Sequence, residues 1–395
     1  MKKAILIAGM LLLAACGSQG QEAEPMEAGT DSRPETAATE EYSLPEADVY
    51  LTVSDSIGVE IGDSNYVFGA ITGAMFAPDG NIAVLDIQKI RVSMFDPEGK
   101  FLTSIGRQGS GPGEFLLPSG FTFLPQGDLI VSDGMGGKLV RFDSTYAHTD
   151  DLAGFFPSPP AMLAGVGPDA LIGMKPDFVQ DETGMYMGFT VARWEWGQAE
   201  PSVVYCSEME PFDPSDLSSV GESIVFFGAA PGTPVFTSPM SSEEYAITAW
   251  DADGNQLYTI VDEDFQRIRK TQEEIDLETE MVNNRMVQQG MPEGMANWEP
   301  DPYRTAVAGL WFDARDRIWV TRGTTVTPSF DVFDMEGSLL FTAALDAGEK
   351  ASTWQAMIQE DRLIAFDVDP ELYPQVFIAD LPGFDMPEEE LEGSI

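Results

Sequence analysis

Histidine is nearly missing from this 395-residue chain, which has one, His148. A single imidazole excludes a zinc or iron centre built from several histidines. A Ser-His-Asp triad would need a nucleophile beside that residue, and no Gly-x-Ser-x-Gly turn occurs anywhere in the chain. Cysteine is as scarce, with only Cys16 and Cys206, so there is no disulfide framework. Basic residues number 21 against 66 acidic ones, a formal net charge of −45. Such a field makes nucleic acid and an anionic lipid face improbable partners. Spread evenly, the charge reads as a solvated surface suited to saline surroundings; the alternative is a surface for cations or basic peptides. Past the first sixteen residues no apolar run is long enough to span a bilayer.

What the sequence does have begins at its first residue. MKKAILIAGMLLLAAC carries two lysines, a short apolar core and then Leu13-Ala14-Ala15-Cys16. This resembles the lipobox of bacterial lipoprotein precursors. The resemblance implies that residues 1–15 are a signal peptide and that Cys16 carries lipid after cleavage, an ordinary secretory leader being the alternative. Removing Lys2 and Lys3 with the leader takes the charge from −45 to −47. Residues 16–41 are polar, acidic and poor in large apolar side chains, the composition of a disordered tether. The expected location is the bacterial cell envelope, at the outer membrane, with the lipid on Cys16 as the membrane contact.

Repeats decide the architecture. MFAPDGNIAVLDIQKIRVSMFDPEG, from Met75, aligns without a gap on TFLPQGDLIVSDGMGGKLVRFDSTY, from Thr122. Pro78 falls on Pro125, Gly80 on Gly127, Asp86 on Asp133, and Phe95-Asp96 on Phe142-Asp143. A weaker copy runs from Leu310 to Gly337. Each unit reads as four short strands separated by Gly/Asp turns, in roughly 40 to 50 residues, the spacing of a β-propeller blade.

These strand endings VLD and VSD, the turns FDPEG and FDMEG, and the link IGRQGSGPGEF resemble NHL-type and TolB-like six-bladed propeller lipoproteins of the bacterial envelope. The fold class that follows is all-β, a six-bladed β-propeller over residues 42–382, with first strands near Ile71, Ser119, Ala161, Ser223, Ala306 and Trp354. The last unit has only three strands before an acidic tail at 383–395, and one strand is left over before the first unit. That N-terminal strand should complete the last blade and close the ring. The stretch at about 266–300 reads as one inserted α-helix, with Thr271 and Glu274 as a capping box and Gly290 and Pro292 as a stop.

GRQGSGPGEF, Gly106 to Phe115, looks at first like a phosphate cradle, but neither a helix nor a Lys-Ser or Lys-Thr pair follows it. In a blade the fourth strand is outermost and the next first strand innermost, so a link must travel back about three strand spacings, on the order of 14 Å. Glycines permit the turns this needs, and Phe115 can plug the gap between blades. Strand alternation places the loops after strands two and four on one face, with Arg107, the 134–138 loop ending in Lys138, and the 322–328 loop starting at Arg322. His148, in a turn after a third strand, falls on the opposite face.

Of the 21 basic residues, 19 remain once Lys2 and Lys3 are removed, so two arginines on one rim would make a local positive spot. Arg107, Lys138 and Arg322 could orient a carboxylate, sulfate or acidic peptide; the alternative is that each satisfies a neighbouring acid. Trp194 and Trp196 alternate on a strand, as a sugar-stacking platform requires, or else pack between blades. Calcium is open as a cofactor, since oxygen ligands abound, but Gln256 stands where an EF-hand loop starting at Asp251 needs glycine. No catalytic residue and no metal ligand is assigned. The leading function is a non-catalytic binding or scaffold propeller, a monomer, taking a protein, peptide or saccharide on the face of the second-to-third and fourth-to-first strand loops. The alternatives are a calcium-dependent lactonase- or lyase-like enzyme with carboxylates in the funnel, and a carbohydrate-binding propeller.

The anchor can be checked directly. Cys16→Ser should leave the leader uncleaved by the lipoprotein peptidase and the protein unlabelled by fatty acid; persistent labelling refutes the lipobox.

Overall fold

The computed structural model describes residues 44–182, 184–212, 223–288, 299–369 and 372–381, with the three-residue strand Glu35–Ala37. The leader, Cys16, the rest of the tether and the 383–395 tail lie outside the described residues.

The order of strands is that of a ring of six sheets. After β1 (Glu35–Ala37) and β2 (Val49–Ile57), the first blade is β3 (Ile71–Phe76), β4 (Ile82–Asp86), β5 (Arg91–Phe95) and β6 (Phe101–Ile105). The second is β7 (Pro118–Phe123), β8 (Leu129–Asp133), β9 (Lys138–Phe142) and β10 (His148–Ala153). The third has the longest hairpin: β11 (Ala161–Gly167), β12 (Ala170–Gln180), β13 (Met185–Glu195) and β14 (Val203–Pro211). The fourth is β15 (Val225–Gly228), β16 (Val235–Pro239), β17 (Ala246–Trp250) and β18 (Gln256–Val261). Then come β19 (Arg267–Arg269) and helix α1 (Gln272–Gln288). The fifth blade is β20 (Val307–Asp313), β21 (Ile318–Arg322), β22 (Ser329–Phe333) and β23 (Leu339–Asp346). The sixth has β24 (Trp354–Glu360), β25 (Arg362–Asp367) and β26 (Val376–Asp380). Within each blade sequential neighbours pair antiparallel. The chain is a six-bladed β-propeller with one inserted helix.

Closure goes further than a spare strand filling a gap. The second half of β2 pairs antiparallel with β26, Val53 opposite Ala379 and Ile57 opposite Val376. Its first half pairs parallel with β23 of the fifth blade, Val49 opposite Ala343 and Thr52 opposite Asp346. One N-terminal strand therefore staples the last two blades together, and neither outer edge is left open where it runs.

Six apolar clusters hold the ring, one in each gap between blades. Leu85, Phe115, Phe121 and Val131 fill the first gap, and Leu139, Leu171 and Trp194 the second. Phe189, Tyr205 and Val225 fill the third, where Val282 of α1 joins them. Phe236 and Leu310 meet in the fourth, Leu51, Trp319 and Trp354 in the fifth, and Phe95 and Phe366 in the sixth. A blade thus buries both faces, which is why β4 and β8 are buried at every position instead of at alternate ones.

Aspartates punctuate the strands. Asp96, Asp143, Asp251 and Asp334 open the turn into the fourth strand of their blades, and each accepts the backbone N–H four residues on. The fourth turn residue has positive φ in each: Gly99, Tyr146, Gly254 and Gly337. At the ends of second strands, buried Asp86 accepts N–H groups from Gly69 and Ala70 before β3 and from Gln88 and Lys89 after β4. Asp133 does the same with Leu116, Leu117 and Gly136. These carboxylates clip two loops of the same face together, the reason for Asp in VLD and VSD.

Two expectations need amendment. Glu35–Ala37, inside the stretch read as a tether, forms a strand parallel to β19. His148 is the first residue of β10 and touches the elbow it was placed opposite: a Cβ on Gly113 would lie 3.1 Å from its own Cβ. Sheet twist turns each outer strand far from the direction of its inner one, so the elbow crosses the outer strand of the next blade.

Leu51 is fully buried beneath the staple while Tyr50 beside it is exposed. Leu51→Ala should cost about 2–5 kcal/mol in urea unfolding, and Tyr50→Ala no more than about 0.5 kcal/mol; equal effects would mean β2 does not close the ring.

Candidate functional site

The elbow is locked by its own atoms. The Gly109 N–H donates to the Phe115 carbonyl and the Phe115 N–H to the Arg107 carbonyl, both at 2.9 Å. Gly106 has φ 78°, and a Cβ there would sit 1.9 Å from the Phe115 ring. Phe115 is the buried plug between the first two blades.

Each basic residue expected on the loop face has an acid. Arg107 Nε and Nη2 meet Glu114 Oε1 at 2.8 and 2.7 Å, within the elbow. The Gly111 N–H and the Arg107 guanidinium hold the Glu114 carboxyl below its ordinary range. Lys138 is buried, 2.8 Å from Asp151 and 3.2 Å from the Gly111 carbonyl, so it fastens the elbow to the second blade. His148 Nε2 lies 2.9 Å from the other Asp151 oxygen. Burial works against the Asp151 charge, but Lys138 and His148 outweigh it and lower the carboxyl's pKa.

Arg322 takes the position at the end of a second strand that Asp86 and Asp133 occupy in their blades. It reaches Asp331 on β22, whose second oxygen accepts the Tyr245 hydroxyl at 3.0 Å. Burial, with Asp331 adding repulsion, pushes the Tyr245 hydroxyl well above its ordinary range, so it remains a donor. Arg322, Asp331 and Tyr245 tie the fourth and fifth blades together. Arg107 and Arg322 are thus in separate pairs and form no common anion site.

The tryptophans divide. Trp194 is 1 % exposed, with its indole N–H on the Ala199 carbonyl at 3.1 Å. Buried between blades, it cannot stack on a sugar, which corrects the platform reading. Trp196 is partly buried, donates to Asp150 at 3.1 Å and lies under the Arg141 guanidinium. The Asp251 turn is a hairpin: its carboxylate accepts N–H groups of Asp253 and Asn255 and the Asn255 amide. These bonds, those of Asn255 first, lower its pKa. Among the described residues no group of three or more His, Cys, Asp or Glu side chains is placed to hold a metal.

Sequence reasoning missed how α1 is seated. The capping box is present, the Thr271 N–H donating to Glu274 at 2.7 Å, but Glu274 also meets Arg304 at 2.8 Å. One turn on, Glu278 meets Lys270 at 2.7 Å. All four charged groups are buried, and Arg304 donates to the Thr324 carbonyl of the 322–328 loop at 2.8 Å. The helix is therefore fixed over the loop face at the third to fifth blades. The four-residue spacing of Glu274 and Glu278 was visible as one helix face; the partners, outside the helix, were not. Cys206 is half-buried, and burial pushes its thiol up to about 11, so it is a poor nucleophile.

With the ring and its loops in view, the class is a six-bladed propeller. The model of a family described as a 6-bladed beta-propeller matches residues 66–158, the first two blades. No curated protein matches the chain. Among solved structures it is similar to a protein of Bacteroides fragilis described as exported, at 12 % identity, over 85 % of this chain and 97 % of that one, with a TM-score of 0.48. It is also similar to a gluconolactonase of Xanthomonas campestris, at 13 % identity, over 86 % and 99 %, with a TM-score of 0.44. For virginiamycin B lyase of Staphylococcus aureus the figures are 9 %, 82 %, 98 % and 0.43. Likeness at this level carries nothing about chemistry.

Burial, with Asp301 and Glu274 adding to it against the pull of Lys270, lifts Glu278 from 4.5 to about 7. The folded state then binds this proton more tightly than the unfolded chain, so its stabilising share is complete below about 4.5 and is lost as pH rises to about 7. The stability of wild type minus that of Glu278→Gln should fall across that window; a flat difference refutes the shifted acid.

Proposed function

We propose that this chain is a lipid-anchored lipoprotein of the bacterial envelope, held at the outer membrane through Cys16, whose propeller works by surface contact and not by catalysis. The contact face is the one carrying the second-to-third and fourth-to-first strand loops. The observation that carries this reading is the pairing of Arg107, Lys138 and Arg322, each with an acid of its own. A catalytic or anion-binding centre would aim such groups at a common point. Here they hold loops and blades in place, as a rigid platform requires.

The lactonase- or lyase-like alternative needs carboxylates converging in the funnel around calcium, a group not found among the described residues. The saccharide alternative loses Trp194, buried as it is. A calcium ion bound to the folded state alone would stabilise it, by about 2.7 kcal/mol at a hundredfold excess over its Kd. Adding calcium at millimolar concentration, after chelation, should leave the melting temperature unchanged. A rise of several degrees would overturn the non-catalytic reading in favour of the enzyme.

A further inference from the structure

The loop face is not evenly charged. Three loops meet above the second blade: the elbow and its continuation at 106–117, the 134–138 loop, and the link at 154–160. The Gly134 N–H donates to the Leu117 carbonyl at 2.9 Å, Lys138 reaches the Gly111 carbonyl, and a Cβ on Gly137 would lie 4.0 Å from the Phe155 carbonyl. Counting the acids bonded to them, Arg107 and Lys138 stand against Glu114, Asp133 and Asp151, so two basic residues less three acidic leave −1, in a chain of −45. From this spot Phe156 projects 75 % exposed, Met135 69 % and Leu116 38 %. The elbow beneath them is rigid, and α1 covers the other side of the face, so the apolar tips stand on a fixed and uncovered platform.

The tether arrives on the same face. β1 lies beside β19, in the link that leads from the fourth blade to α1. From Glu35 back to Cys16 there are nineteen residues, with a reach of at most about 65 Å. A lipid on Cys16 keeps the loop face within range of the bilayer it is inserted in.

We propose that Leu116, Met135 and Phe156 form a lipid-docking patch, which seats the second blade in the headgroup layer of a zwitterionic phospholipid surface. This rests on the anchored reading above and names what its contact face touches. Large apolar side chains on exposed loops bury their surface at the acyl boundary, as interfacial anchors do. The local charge suits the contact: the acids here are held by Arg107, Lys138 and backbone N–H groups, so repulsion of headgroup phosphates is weak at the patch, while the acidic remainder of the surface stays in water. One weak apolar contact and one lipid chain together hold a protein more firmly than either alone.

The test uses the full mature chain with Cys16→Ser, so that no acyl group contributes. Sedimentation with phosphatidylcholine vesicles should show measurable partition of this protein. Adding Met135→Glu and Phe156→Glu should reduce it at least about tenfold, whereas Leu339→Glu, on the outer strand of the fifth blade, should leave it unchanged. A second measurement, in a Cys206→Ser background, places a polarity-sensitive dye on Met135→Cys or on Leu339→Cys. The emission should shift to the blue on adding vesicles at position 135 only. Absence of partition in the parent, equal loss in the Leu339→Glu control, or a dye at 135 that ignores vesicles each overturns the docking patch. So does a dimer in sedimentation velocity that Met135→Glu and Phe156→Glu dissolve, since the face is then covered by a second copy. Fatty-acid labelling of the Cys16 protein is read separately, so a failed anchor and a failed patch give different results.

Discussion

Everything in this molecule depends on the dry gaps between blades. A four-stranded sheet exposes two apolar faces, and a ring is the arrangement in which each covers its neighbour. Six clusters do this, and the ring holds only if the last gap is as tight as the others. β2 supplies that, with Leu51 buried beneath it and its backbone paired to two blades. Because closure joins residues near 50 to residues near 380, the ends of the chain stabilise each other.

The large surplus of acid is partly structural. Asp86 and Asp133 are buried and take several backbone N–H groups each, so they act as fasteners between loops. Asp96, Asp143, Asp251 and Asp334 shape turns in the same way, at the surface. A carboxylate accepting several N–H bonds gives up little by leaving bulk water, because charge-assisted bonds replace its hydration. The scarce basic residues are drawn into the remaining acids, and this leaves the loop face without a convergent cationic site.

The helical insertion changes what that face can do. Two buried ion pairs hold α1 down, Lys270 with Glu278 and Arg304 with Glu274. Buried pairs of this kind add little net stability compared with apolar packing, but a mismatched seat would strand a charge, so they specify one position for the helix. The third to fifth blades are covered as a result. The loops above the second blade stay open, and there Leu116, Met135 and Phe156 are exposed beside Arg107.

The number of blades, their first strands and the closing strand were legible in the sequence, because hydrogen-bonded turns demand Asp and Gly at fixed offsets and four of the six blades repeat the turn aspartate. The elbow was legible for the same reason: Gly106 must admit the Phe115 ring, and that is a local constraint. The capping box of Thr271 and Glu274 could likewise be read from neighbours in the chain. What each charged or aromatic side chain meets was decided only in the ring. Arg322 finds Asp331 across a hairpin, Asp331 accepts the Tyr245 hydroxyl from the preceding blade, Trp194 is buried by a blade that precedes its own, and His148 meets an elbow thirty-five residues earlier. Spacing specifies a turn because its partners are covalently close; contacts between blades depend on the twist and tilt of whole sheets, which no short stretch of sequence encodes.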